Sequence, residues 1–189
     1  MQREQLKILL LQIRDDHKVR AEELESFARY SQLDVNQIDV LNVFDTPSFD
    51  SSVLEGYDAL YVGGASEANV LEPKIYPFVN DCISLIKFAG DAGIPTFASC
   101  FGFQLAVLAF GGEILSKDED YEMGSIPITL TNLATIDPVF SGTPDEFPAL
   151  SIHRQYALEL PAGLDLLAYT SDCLHSFKLR NKPLWAFQF

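Results

Sequence analysis

The sequence has few of the residues that staple or metallate small proteins. Its three cysteines, Cys82, Cys100 and Cys173, are odd in number and spread along the chain. That spacing argues against a disulfide framework or a zinc site and points to reduced thiols. Basic residues are also scarce: 13 Lys plus Arg stand against 27 Asp plus Glu, a formal net charge of −14. Such a surface repels phosphate backbones and anionic lipid, so neither nucleic acid nor a membrane is expected as a partner. No apolar run approaches the ~20 residues of a membrane span. Met1-Gln2-Arg3-Glu4-Gln5 leads into a strand rather than the apolar core of a signal peptide, and the expected location is cytoplasmic. Repeats and low-complexity segments are missing too, and no motif requires a metal or an organic cofactor.

What is present is a chain of 189 residues, 48% of them hydrophobic, enough for one sizeable core. A single domain over residues 1–189 is expected. Leu6 to Ile13 is apolar apart from Lys7 and Gln12, the pattern of a strand buried on both faces of a parallel sheet. Ala21, Leu24, Phe27, Ala28 and Leu33 follow at roughly helical spacing, then a second strand from Gln37 to Phe44. Asp58 to Val62 reads as a third strand ending in Gly63-Gly64. A glycine pair there is either an ordinary turn or a place where backbone N–H groups approach a ligand. Tyr76, Val79, Ile83, Ile86 and Phe88 suggest the next helix, with Cys82 packed inside it.

The chain is organised around the stretch Ile94 to Leu105. An apolar, β-prone run meets small residues around Cys100 and becomes the helix-like Phe103 to Phe110, so Cys100 sits where a strand turns into a helix. A turn that sharp crowds its own backbone, and the positions two before and two after the cysteine, Ala98 and Gly102, are small. The following helix offers unpaired N–H groups and a positive dipole end, which lower a thiol pKa and stabilise an oxyanion. This is a nucleophile elbow carrying sulfur.

Ala98-Ser99-Cys100-Phe101-Gly102-Phe103-Gln104 resembles the Gly-x-Cys-x-Gly-x-Gln elbow of the class I, triad-type glutamine amidotransferases. Ala98 replaces the first glycine, and Phe103 stands where many members carry histidine. A related cysteine-peptidase-like superfamily has histidine directly after the cysteine, where this chain has Phe101. Further along, Glu122-Met123-Gly124 is similar to the family's Glu-x-Gly turn, and His153-Arg154-Gln155 to its His-x-Asp motif with the acid replaced. Leu164 to Tyr169, His175 to Leu179 and Leu184 to Phe189 read as three further strands. His175, with no acid nearby in sequence, is expected to be structural.

The resemblance implies a doubly wound, mostly parallel α/β sheet with flanking helices, flavodoxin-like, and a small antiparallel portion in the C-terminal half. It implies that Cys100 is the nucleophile toward glutamine. It assigns the oxyanion hole to Gly64 and Phe101, and substrate contacts to Gly63, Gln104 and, as a site-lining residue, His153. An ammonia-accepting synthetase or acceptor substrate is the implied partner. Family members follow the last strand at once with His-Pro-Glu, whereas the sequence stops at Phe189, so the triad base and its orienting acid are expected to be missing and the chain to be inactive as it stands. Two rivals remain open: a hydrolase of γ-glutamyl compounds using the same elbow, and a non-catalytic regulatory relative.

Overall fold

The computed structural model describes residues 2–189. Its first strand, β1 (Ile8–Gln12), is buried along its whole length. Leu9 and Leu11 pack into the main core, while Ile8 and Leu10 face the opposite layer. That two-sided burial is why the segment is nearly continuous in apolar residues rather than alternating.

The opposite layer is α1 (His17–Ser31), which lays Leu24, Phe27 and Ala28 over Ile8 and Leu10. Its start is set by Asp16, whose carboxylate accepts the Lys18 and Val19 N–H groups at 2.8 and 3.0 Å. The main core forms under α2 (Phe78–Ala92) and α3 (Phe101–Ala109), which pack together on the other face. α2 ends at Gly93 in the left-handed region, φ 73°, where glycine carries no side-chain penalty. Phe103 of α3 is fully buried, its ring 5.2 Å from that of Phe177.

β2 (Ile38–Asn42), β3 (Ala59–Val62), β4 (Thr96–Ser99) and β11 (Leu184–Phe187) join β1 as parallel strands in the order β2-β1-β3-β4-β11. The same sheet continues antiparallel through β10 (Leu174–Leu179), β9 (Leu164–Tyr169), β6 (Met123–Leu130) and β7 (Glu146–Ile152). A separate two-stranded ladder pairs β5 (Leu115–Ser116) with β8 (Gln155–Tyr156). The antiparallel wing has its own core of Ile128, Leu130, Ala134, Phe140, Leu167, Ala168 and Phe187. The doubly wound α/β expectation therefore holds, with helices on both faces of the parallel strands.

β7 is the element that sequence patterning misses. It carries Pro148 opposite Pro127 of β6, and proline interrupts the apolar run by which strands are recognised. It is tolerated because β7 is the edge of the sheet. Among the described residues no helix is long and apolar enough to cross a membrane.

Candidate active site

The strand order places the direction reversal between β1 and β3, and ligands of open α/β sheets bind beyond the carboxyl ends of strands at such a point. The loops after β1, β3 and β4 bring Arg14, Gly64 and Cys100 to one cavity of about 570 Å³, lined also by Glu23, Tyr61 and Phe97. Cys100 occupies the turn from β4 into α3 with φ 51° and ψ −99°, a conformation that a non-glycine residue holds only when its surroundings impose it. Two contacts impose it. The Cys100 N–H donates to Phe187 O at 2.7 Å, tying the elbow to β11, and Gln104 N–H donates back to Cys100 O at 3.2 Å.

Small flanks are required as the sequence suggests. Ala98 is fully buried. A Cβ on Gly102 would lie 3.0 Å from both Val62 O and Val62 Cγ1, so α3 could not enter this close to β3 with a larger residue. At Gly64 an added Cβ would stand 2.8 Å from Arg14 Nη2 and 3.5 Å from Cys100 Cβ. The tight obstruction there is thus Arg14, and Gly64 and Cys100 line the same cavity side by side. At Gly63 the obstruction would be the Glu23 carboxylate, 2.8 Å away. Neither glycine has a positive φ, so close approach rather than turn geometry accounts for the pair.

Three side chains around the thiol escape motif reading. Glu23, on α1, accepts Arg14 Nε–H at 2.9 Å and the Gly64 N–H at 3.3 Å through one oxygen, leaving the other buried without a partner among the described residues. Burial pushes the Glu23 carboxyl up, opposed by the Arg14 guanidinium. Arg14 also donates to Ser66 Oγ at 2.8 Å. Gln188, buried just after β11, points its amide Nε2 at Cys100 Sγ from 3.8 Å. Glu23 and Arg14 read as ordinary helix and loop charges, and only the fold sets them beside the elbow.

The expectation of a lowered thiol pKa is corrected by the surroundings. Burial pushes the Cys100 thiol up from its ordinary value; the Arg14 charge and the Phe101 N–H pull it back, and the Glu23 charge pushes it further up.

Gln104 is buried in α3, its Nε2 donating to Gln188 Oε1 at 3.4 Å and to Gln155 O at 3.3 Å. It reaches the thiol through Gln188 rather than by lining the cavity. His153 is not at the cavity either. It lies in a second cluster with Glu122, Cys173 and His175, whose potential ligand atoms are all within 4.8 Å of one another. Two expectations need correcting here. His175 does have an acid partner, Glu122 Oε2 at 2.7 Å, and Cys173 is not isolated, its Sγ being 3.4 Å from both that oxygen and His175 Nε2. Antiparallel pairing folds distant segments onto each other, so sequence separation was the wrong measure. In this cluster burial holds both imidazoles below their ordinary pKa against the pull of Glu122. Glu122 itself is pushed up by burial but held below the usual carboxylate range by the Thr170 hydroxyl and the imidazoles.

The chain is thus a doubly wound α/β protein whose strained cysteine turn follows β4, one strand away from the switch point. Residues 32–189 match the model of the family described as glutamine amidotransferase class-I, and the chain belongs to that family. Similar curated proteins are a component of the glutamine-hydrolysing GMP synthase of Methanocaldococcus jannaschii, 29% identical over 60% of this chain, and the glutamine-hydrolysing GMP synthase of Borrelia garinii, 33% identical over 51%. The matches span 58% and 18% of those proteins, less than two thirds of either. Among solved structures, a glutamine amidotransferase from Thermotoga maritima superimposes with a TM-score of 0.78 at 19% identity, covering 97% of this chain and 75% of that one. At that identity the structural likeness speaks to the fold.

Proposed function

We propose that the protein hydrolyses the side-chain amide of glutamine through a thioester on Cys100, releasing ammonia to a separate acceptor. The observation that carries this is the strained Cys100 turn, which shares its cavity with Gly64. Cys100 Sγ attacks the amide carbon, and the oxyanion is taken by the N–H groups of Gly64 and Phe101. The C–N bond then breaks, and the nitrogen leaves as ammonia carrying the proton that the thiol gave up. Water cleaves the thioester, yielding glutamate and the free thiol. Gly63 leaves room for the Glu23 carboxylate beside the β3 turn, and Gln104 steadies Gln188 beside the sulfur. Glu23 must first leave the Gly64 N–H, because a carboxylate there occupies the donor the oxyanion needs.

Among the described residues no histidine lines the Cys100 cavity. His153 and His175 are held at Glu122 instead. The name of the similar M. jannaschii protein, a glutamine-hydrolysing GMP synthase component, supports a synthetase as the partner that consumes the ammonia.

The test is ammonia release from glutamine, and from γ-glutamyl peptides, by the protein and by Cys100→Ala. Release from glutamine that Cys100→Ala abolishes supports the reading; the rate should be low, because no histidine lines the cavity among the described residues and a positioned general base is usually worth about 10²–10⁴. Preference for γ-glutamyl peptides over free glutamine would instead establish the hydrolase alternative, and no turnover of either the regulatory one.

A further inference from the structure

We propose that Glu122, His153, Cys173 and His175 form a structural metal site suited to zinc, separate from the Cys100 cavity. The four residues come from the position just before β6, the β7–β8 connection, the β9–β10 turn and β10 itself. The fold aims the inward nitrogen of both imidazoles, Nε2, together with Cys173 Sγ, at one carboxylate oxygen. The distances to Glu122 Oε2 are 2.7 Å from His175, 3.1 Å from His153 and 3.4 Å from Cys173. Three groups crowd an oxygen that has two lone pairs to offer. Hydrogen bonding alone accounts poorly for that convergence.

A cation accounts for it better. Zinc bound at about 2.0–2.1 Å to nitrogen and about 2.3 Å to sulfur sets ligand-to-ligand edges of about 3.3–3.6 Å in a tetrahedron. The cluster already has Cys173 Sγ 3.4 Å from His175 Nε2 and from Glu122 Oε2, and all four ligand atoms lie within 4.8 Å. Small shifts would open it around an ion. Two imidazoles, a thiolate and a carboxylate are a donor set that suits zinc rather than magnesium or calcium. The thiolate and carboxylate charges would cancel those of a divalent ion, leaving a buried site with no net charge.

The site is closed, which marks it as structural. Four protein ligands complete a tetrahedron, and the hollow beside them, bordered by Tyr121, Arg154 and Tyr156, has a volume of only about 10 Å³. Its effect would be to fasten the antiparallel wing. His153 lies two residues before Gln155, whose carbonyl accepts the Gln104 amide, so the ion would also steady the far end of the Gln104–Gln188 chain that reaches Cys100.

The test uses the full 189-residue chain, purified without chelator or metal-binding tag. Elemental analysis should find about one zinc per chain, as expected where metal binding is coupled to folding. After chelation and reloading with Co²⁺, the unmodified protein should show tetrahedral visible bands and a thiolate-to-cobalt charge-transfer band. That band should be lost in Cys173→Ser and kept in Cys82→Ser. The stripped chain should melt at a lower temperature than the zinc-loaded one. Substoichiometric zinc that added metal does not raise, a cobalt spectrum without the thiolate band, or a band that survives Cys173→Ser would each overturn the proposal. If Cys173→Ser does not fold, the cobalt spectrum of the unmodified chain decides.

Discussion

Glu23 Oε1 accepts the Gly64 N–H at 3.3 Å, so an acid from α1 sits on a backbone donor beside Cys100. The same carboxylate is paired with Arg14 at 2.9 Å, which places one positive and one negative side chain next to the thiol.

That pairing predicts how the thiol titrates. Burial raises the Cys100 pKa above its ordinary value of 9.0, so the rate of alkylation by iodoacetamide should still be climbing above pH 9.0. Only the thiolate reacts, and removing a nearby negative charge favours it. Glu23→Gln should therefore shift the pH–rate profile of Cys100 to lower pH, and Arg14→Gln, which removes the stabilising cation, to higher pH. Mass-spectrometric rates for the Cys100 peptide across pH 6–10 check both shifts, and movement of the two variants in the same direction would show that these charges do not govern the thiol.

Gly64→Val separates catalysis from stability. The added Cβ would stand 2.8 Å from the far end of the Arg14 side chain, which must swing aside, and the branches of valine would extend from a Cβ 3.5 Å from Cys100 Cβ. In a chain that turns over glutamine, the variant should lose about 10²–10³ in rate, the usual cost of an oxyanion donor, with little change in melting temperature. Unchanged turnover would reduce Gly63-Gly64 to a packing device for Glu23 and Arg14.

α3 should be the opposite case. Phe103 is fully buried against Phe177, so Phe103→Ala should cost about 3–5 kcal/mol in urea unfolding. Gly102→Ala should cost about 1–3 kcal/mol, because its Cβ would press on the Val62 carbonyl, which belongs to a central strand. A loss under about 0.5 kcal/mol in urea, on the same scale as ordinary surface changes, would mean that α3 can slide away from β3.

Much of the fold is legible because the parallel strands are buried on both faces and write themselves as apolar runs, as β1 does. The elbow is legible because steric crowding leaves a local trace, small residues on either side of Cys100. β7 is hidden because Pro148 interrupts it and because its alternation in burial runs against residue polarity, with Leu150 and Ile152 exposed and Ser151 buried; its partner β6 supplies the pairing. Arg14, Glu23 and Gln188 are hidden for another reason. Their roles depend on which loops the sheet order brings together, and nothing within a few residues of each encodes that. The meeting of Glu122 with His153, Cys173 and His175 is the same effect across 53 residues of chain, from 122 to 175.

The most direct test of Cys100 as the nucleophile is covalent labelling with a diazoketone analogue of glutamine, followed by peptide mapping of all three cysteines. One adduct should form, on Cys100, with saturable kinetics and slowed by added glutamine, while Cys82 and Cys173 remain unlabelled. Labelling of Cys82 or Cys173 at a comparable rate, or an adduct at Cys100 that glutamine does not protect, would contradict it.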